Sequence, residues 1–242
     1  MPGVPFGSKR FSRRRKNPCP LPTTLTENGS ALTIYWLERV DSTQRYALDA
    51  VKNKTLLPPF AVVADRQDEG RGSRGNSWTG LEGNLFFSFA VDRALLPDDL
   101  KLESCSIYFA FLFKETLRWS GSQVWLKWPN DFYLGDRKVG GTITTLRQDV
   151  LVCGIGLNLA NAPDGFGVLD VEISREMLLK AYCERMEKFP EWKEIFRLYA
   201  LEFEKSRRYL THDKHYKFSL ENAVLCDDGS IVCDGQRMYS QR

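Results

Sequence analysis

The chain has 242 residues, 43% of them hydrophobic and 27% charged, which suits one packed domain with at most a small appendage. No run of 18 apolar residues exists, the densest being Ile107–Phe113, so a membrane-spanning helix is not expected. Of the net charge of +3, residues 1–26 carry +6 (Lys9, Arg10, Arg13, Arg14, Arg15, Lys16 and no acid), leaving −3 for the rest, and so mildly acidic a body argues against a broad nucleic-acid surface.

Residues 1–30 lack apolar periodicity and are rich in Pro, Gly, Ser, Thr and Arg, so a poorly ordered tail is expected. Its acid-free start reads either as an organellar transit peptide or as a flexible basic tail, with Pro2, Pro5 and Pro18 opposing an amphipathic helix. Leu32–Leu37 reads as a strand, and Asp41-Ser42-Thr43 offers capping side chains for a helix over Gln44–Lys52. Phe60–Ala64 and Asn84–Val91 are apolar strands. Leu100–Trp119 has helical length and is apolar on nearly every side, which predicts a deeply buried helix. Val124–Trp128 is a strand stopped by Pro129, and Lys138–Leu146 with Val150–Leu159 is a strand pair. Ser174–Phe189 and Glu191–Arg208 are amphipathic helices parted at Pro190. Tyr216–Leu220, Ala223–Cys226, Ile231–Cys233 and Arg237–Tyr239, with Asp-Gly turns between them, have the rhythm of small hairpins. The pattern predicts an α+β fold: a mixed, mostly antiparallel sheet, helices packed against it and a short β appendage. The expected divisions are 1–30, 31–210 and 211–242.

The six cysteines, at 19, 105, 153, 183, 226 and 233, form no Cys-x-x-Cys pair, and Cys105 and Cys153 sit in apolar runs as buried free thiols do. With no apolar segment behind the basic start, a reducing intracellular compartment is expected, cytoplasmic or mitochondrial. The spacing of His212-x-x-His215 with Cys226 and Cys233 is no recognised zinc pattern, so no metal site is expected.

Chemistry-bearing residues concentrate in three places. Gly70-Arg71-Gly72-Ser73-Arg74-Gly75 fits G-x-G-x-x-G. A dinucleotide loop should open a helix, yet Asn76, Ser77, Thr79, Gly80 and Gly83 are poor helix formers. Asn76 also breaks a phosphate-loop Lys-Ser/Thr, and the downstream motifs of a kinase are missing. What remains is a backbone-exposed loop whose arginines suit carboxylate or phosphate. Its alternative is a solvated surface loop. Lys127-Trp128-Pro129-Asn130-Asp131 and Arg137-Lys138-Val139-Gly140-Gly141 place cations, an amide and a carboxylate beside paired glycines, where a ligand can approach backbone closely. Gly154-Ile155-Gly156-Leu157-Asn158 pairs glycines with a polar side chain at a strand end.

Taken in order, Asp41-Ser42-Thr43, Gln67-x-x-Gly70-Arg71-Gly72, Lys127–Asp131, Arg137-Lys138-x-x-Gly141 and Gly154-Ile-Gly-x-Asn158 resemble the biotin protein ligases, over about Leu37–Leu159. The resemblance implies formation of biotinyl-5′-AMP from biotin and ATP with Mg²⁺, then transfer to a lysine in the biotin-accepting domain of a biotin-dependent carboxylase. It implies that Ser42, Thr43 and Gln67, with the neighbouring Gln44, face the biotin head. Trp128 or Phe87 would supply part of an apolar slot. Arg71 and Lys138 would bridge the biotin carboxylate and the phosphate, within the stretch Gly70, Gly72 and Ser73. Trp78 would cover the adenine, Asn130 and Asn158 would lie near the nucleotide, Lys127 would join the substrate-binding set, and Gly141 would offer backbone to biotin. Asp131 is the candidate base for the acceptor lysine.

Two departures from the family pattern stand out. Ser73 occupies a position where the family usually has Arg, so weaker retention of the adenylate is expected unless Arg74 turns inward. Residues 211–242 are shorter than the family's SH3-like cap, and no helix-turn-helix pattern supports specific DNA binding. Lipoate–protein ligases and octanoyl transferases share the implied fold and stay open as alternatives, as does a non-catalytic biotin-binding relative. The oligomer expected is a monomer or homodimer, away from any membrane.

Overall fold

The computed structural model describes residues 22–23, 32–73, 76–213 and 216–240. In chain order the strands are β1 (Pro22–Thr23), β2 (Thr33–Val40), β3 (Phe60–Gln67), β4 (Gly70–Arg71), β5 (Ser77–Trp78), β6 (Leu85–Asp92), β7 (Trp125–Lys127), β8 (Asp131–Leu134), β9 (Arg137–Arg147), β10 (Val150–Leu157), β11 (Leu210–Asp213), β12 (Tyr216–Ser219), β13 (Val224–Leu225), β14 (Ile231–Cys233) and β15 (Gln236–Met238). The helices are α1 (Thr43–Asn53), α2 (Cys105–Trp119), α3 (Arg175–Met186) and α4 (Trp192–Phe203).

Eight strands form the main sheet in the order β1-β2-β3-β6-β10-β9-β8-β7. Only β2 and β3 run parallel, because α1 connects them as a crossover; the other neighbours are antiparallel. The expected mixed, mostly antiparallel α+β architecture is the one observed. Strand alternation then divides the core in two. Leu85, Phe87, Phe89 and Val91 of β6, with Leu151, Cys153, Ile155 and Leu157 of β10, join α2, α3 and α4 in the larger cluster. Phe60, Val62, Ala64, Ala90, Val150 and Val152 pack instead with Ala47, Ala50 and Val51 of α1.

Several boundaries differ from the sequence expectation. β2 and β3 continue to Val40 and Gln67, through exposed Glu38 and Arg39, which hide the extension from a hydrophobic pattern; pairing with each other carries them on. The long apolar run begins with a 3-10 turn, Leu102–Ser104, before α2, and α4 likewise yields to a 3-10 turn at Glu204–Arg208. Pro22–Thr23, inside the expected tail, pairs with Tyr35 and Ile34 of β2. Leu220, Ala223, Ile231, Cys233 and Met238 belong to the larger core cluster, so the C-terminal hairpins share the interior of the body. No described helix is long and apolar enough to cross a membrane.

Cys105, Cys153 and Cys183 are buried free thiols, as their apolar surroundings predict for the first two. Burial pushes Cys105 and Cys183 up to about 12 and Cys153 well above the usual thiol range. Since the thiolate is the reactive form, iodoacetamide near pH 8 should alkylate half-buried Cys226 first among these four and spare the other three until the chain unfolds. Peptide mass mapping checks this, and labelling of Cys105 at the Cys226 rate would contradict it.

Candidate active site

The site forms where the α1 face of the sheet runs out of side chains. Ser42 caps α1, its Oγ accepting from Arg45 N at 3.4 Å. That fixes Thr43 at the first turn, where its backbone N and its Oγ1 both donate to Gln67 Oε1, at 2.7 and 3.0 Å. Ser88 Oγ donates to Thr43 Oγ1 at 2.9 Å, so a chain of hydrogen bonds links β6, α1 and β3. Opposite lie Gly154 and Gly156 of β10, which register with Ser88 and with Gly141 respectively. A Cβ on Gly154 would sit 2.5 Å from Gln44 Oε1, and one on Gly156 2.8 Å from the Trp78 indole. The glycines are therefore the floor of the slot.

The remaining walls come from two hairpins. β4 and β5 pair Gly70 with Trp78 and Arg71 with Ser77, which lays the indole across Gly156 and places Arg71, Gly72 and Ser73 at the rim. β8 and β9 pair Asp131 with Gly141. Lys138 Nζ reaches Asp131 Oδ1 at 2.6 Å and lies 6.0 Å from the Trp78 ring centre. Arg71 makes no side-chain hydrogen bond or ion pair among the described residues, leaving an exposed guanidinium at the rim.

The slot is narrow and opens into a wider cleft; Gln44, Arg71, Gly72, Ser73, Asp131, Lys138 and Ile143 border both. Gln44 Oε1, Thr142 Oγ1 and Trp78 Nε1 are buried at the slot without a hydrogen-bond partner. Buried polar atoms rarely stay unpaired, so a polar ligand head fits here. The arrangement sets neutral donors and acceptors at the α1 end and two cations at the other. That suits a small carboxylic acid with a polar head.

The cleft is lined by Lys127, Pro129 and Asn130 in addition. The Lys127 ammonium lies 5.4 and 5.8 Å from the ring centres of Tyr133 and Tyr209. Burial, then the hydrogen bond to Asp136, raises Tyr209 to about 12, so both rings stay neutral phenols at physiological pH. The Asn130 side chain donates to Thr142 O across to β9. Asn158 borders neither cavity: its amide accepts from Asn84 at 3.4 Å and donates to Gly167 O at 3.0 Å, bracing the strand end.

Neither residue expected to wall the slot does so, although Trp128 borders the neighbouring cleft. Phe87 points to the helices, stacking on Phe89 and Tyr182, because it alternates with Ser88 along β6. Trp128 is wholly buried, its indole N–H donating to Gly229 O. Ser88, Thr142, Ile143 and Ile155 border the slot without having stood out in the sequence. Ser88 did carry a signal: a lone hydroxyl inside Phe86-Phe87-Ser88-Phe89. Arg74 and Gly75 lie outside the described residues, as does the His212-x-x-His215 pair as a set of side chains. Among the described residues no group of three or more His, Cys, Asp or Glu could hold a metal ion.

A profile of the biotin/lipoate A/B protein ligase family matches residues 36–159. The fold resembles a biotin acetyl coenzyme A carboxylase synthetase from Helicobacter pylori, solved with bound biotinylated ATP: 38% identity, TM-score 0.82, covering 85% of this chain and 98% of that one. The bifunctional ligase/repressor BirA of Escherichia coli is 34% identical over 128 residues, 50% of this chain and 39% of that protein. The biotin–[acetyl-CoA-carboxylase] ligase of Paracoccus denitrificans is 32% identical over 54% of this chain and 57% of its own length. The chain thus matches about two-fifths of the length of the BirA relative. The motif series of the sequence, the glycine-floored slot it builds and these matches agree: the chain belongs to the biotin/lipoate A/B protein ligase family.

Proposed function

We propose that the chain is an ATP-dependent biotin protein ligase, making biotinyl-5′-AMP and passing biotin to a lysine of a carboxylase biotin-accepting domain. The observation that carries this reading is the polarity of one narrow slot. Thr43, Gln67 and Ser88 offer a neutral hydrogen-bonding end for a ureido head, the glycine floor admits fused rings, and Arg71 with Lys138 stands where the carboxylate would emerge.

In the first step a biotin carboxylate oxygen attacks the α-phosphorus of ATP, the bond to the β-phosphate oxygen breaks, and pyrophosphate leaves. Two anions must meet, a repulsion that is weak in water and strong in a dry slot. Arg71 and Lys138 offset it. Lys138 is held on its present line by Asp131 at 2.6 Å. Mg²⁺ enters as part of the nucleotide substrate. Asp131 is the only carboxylate bordering either cavity among the described residues, and it is already engaged with Lys138, so the donors present do not amount to a resident metal site. In the second step the acceptor amine attacks the acyl carbon, the carbon–oxygen bond to phosphate breaks and AMP leaves; Asp131 is the candidate base for the proton the amine gives up.

The test is incubation with MgATP, labelled biotin or labelled lipoate, and matching acceptor domains. Biotin transfer dependent on ATP is the expected result. Transfer of lipoate alone would overturn the substrate assignment, and binding of biotin without adenylate would favour a non-catalytic relative.

A further inference from the structure

We propose that the C-terminal turn at Asp227–Gly229 positions the loop carrying Asn130 and Asp131, acting through Trp128. Three consecutive carbonyls of this turn each receive a hydrogen bond from a different part of the body. Asp227 O accepts from Trp192 Nε1 at 2.7 Å, Asp228 O from Ser104 Oγ at 2.7 Å and Gly229 O from Trp128 Nε1 at 2.9 Å. The first donor begins α4, the second precedes α2, and the third opens the segment that leads into β8.

The turn is rigid enough to serve. Gly229 N donates to Cys226 O at 2.9 Å and Cys226 N to Ser230 O at 2.8 Å. The Asp228 carboxylate accepts from Ser230 N, Ser230 Oγ and Arg237 Nη2, at 3.0, 2.5 and 2.7 Å. Gly229 has φ +75°, and a Cβ there would meet Ile107 at 2.7 Å, so glycine alone lets the carbonyl come this close.

Trp128 is held on its other side as well, its backbone N donating to Ser206 Oγ at 3.0 Å. Two and three residues on, Asn130 reaches β9 and Asp131 pairs with Lys138. A ring bolted at its back thus sets where two site side chains start. Displacing such groups by about 1 Å can cost on the order of 10²-fold in rate. The turn at Asp227–Gly229 then serves the site without lining slot or cleft, and Trp128 is a positioning residue rather than a catalytic one.

Trp192 supplies a matched control. Trp128→Phe and Trp192→Phe each remove one indole N–H donor to the same turn and the same volume from the same core, yet Trp192 borders neither slot nor cleft. The kinetic readout rests on the ligase reading. Both variants should lose thermal stability to a similar degree. Only Trp128→Phe should lower kcat for biotinyl-adenylate formation, by about 10- to 100-fold, with little change in KM for biotin. Equal kcat values in the two variants would overturn the proposal, reducing the turn to ordinary packing. Should Trp128→Phe fail to fold, Arg237→Gln, which loosens the turn from outside the site, must lower kcat in the same way; an unchanged kcat overturns it. If the unaltered protein makes no adenylate, the ligase reading fails instead. Hydrogen exchange over residues 127–132 then decides, faster in Trp128→Phe than in Trp192→Phe if the turn positions the loop, and alike in both if it does not.

Discussion

Replacing Lys138 by Ala should lower the rate of biotinyl-adenylate formation by about 10²–10³-fold, the usual cost of removing one preorganised charged donor at a developing anion. Lys138 Nζ is held 2.6 Å from Asp131 at the mouth of the slot, so it needs little reorganisation when two anions meet there. Its removal also leaves Asp131 as an uncompensated carboxylate at the slot mouth, which in the proposed reaction adds repulsion to the lost attraction. Lys138→Arg keeps the charge but spreads it over a larger planar group in place of a compact ammonium, and should recover only part of the loss. Pyrophosphate release in a single turnover measures this directly. A Lys138→Ala rate within threefold of the unaltered protein would show that Arg71 alone carries the charge compensation.

The largest effect on stability is expected far from the site, at Lys114. This residue is 1% exposed, in the middle of α2, with Nζ pairing to Glu202 of α4 and to Glu115 at 2.7 Å, and lying 3.9 Å from the Phe111 ring centre. Glu202 also accepts from Leu126 N of β7 at 3.1 Å. One buried charge pair thus ties α2, α4 and the last strand of the main sheet together. Lys114→Met fits the space but leaves the buried Glu202 carboxylate only the exposed Lys205 at 3.9 Å, and breaking such a buried pair costs about 3–5 kcal/mol. For a chain of this size that lowers Tm by about 6–20 °C, measurable by calorimetry. The double variant Lys114→Met, Glu202→Gln should recover much of the loss, since the amide oxygen still serves Leu126 N while the only carboxylate that loses Lys114, Glu115, is partly exposed to solvent. A double variant no more stable than the single one would contradict this account.

Comparison of particular elements shows why some features were legible in the chain and others were not. The apolar strands β3, β6 and β10 and the buried helix α2 follow from hydrophobic runs long enough to read without partners. The two-residue strands β4 and β5 have no such run; Gly70 and Trp78 become strand residues only by pairing with each other. Ser42 and Thr43 were legible because a capping motif is a local feature, whereas Gln67, beyond the expected end of its strand at Ala64, was named only through the family resemblance. Ser88 and Thr142 became site residues only through alternation along strands whose register is set across the sheet. Phe87 failed as a wall residue for the same reason, one position from Ser88.

By itself the sequence determined the chemistry on offer. The glycines that can lie beneath a ligand, the cations Arg71 and Lys138, the carboxylate Asp131 and the departure at Ser73 are properties of residue type and spacing. The tertiary structure decided which of them meet. Gly154 and Gly156 become a floor only because α1 begins above them and Trp78 folds across from another hairpin. Asp131 faces Lys138 because β8 turns back on β9. Trp128 is held by Gly229 from a hundred residues away, since the C-terminal turn closes into the same core. Those contacts are long-range, and a local pattern carries no information about which distant backbone carbonyl a buried indole will find.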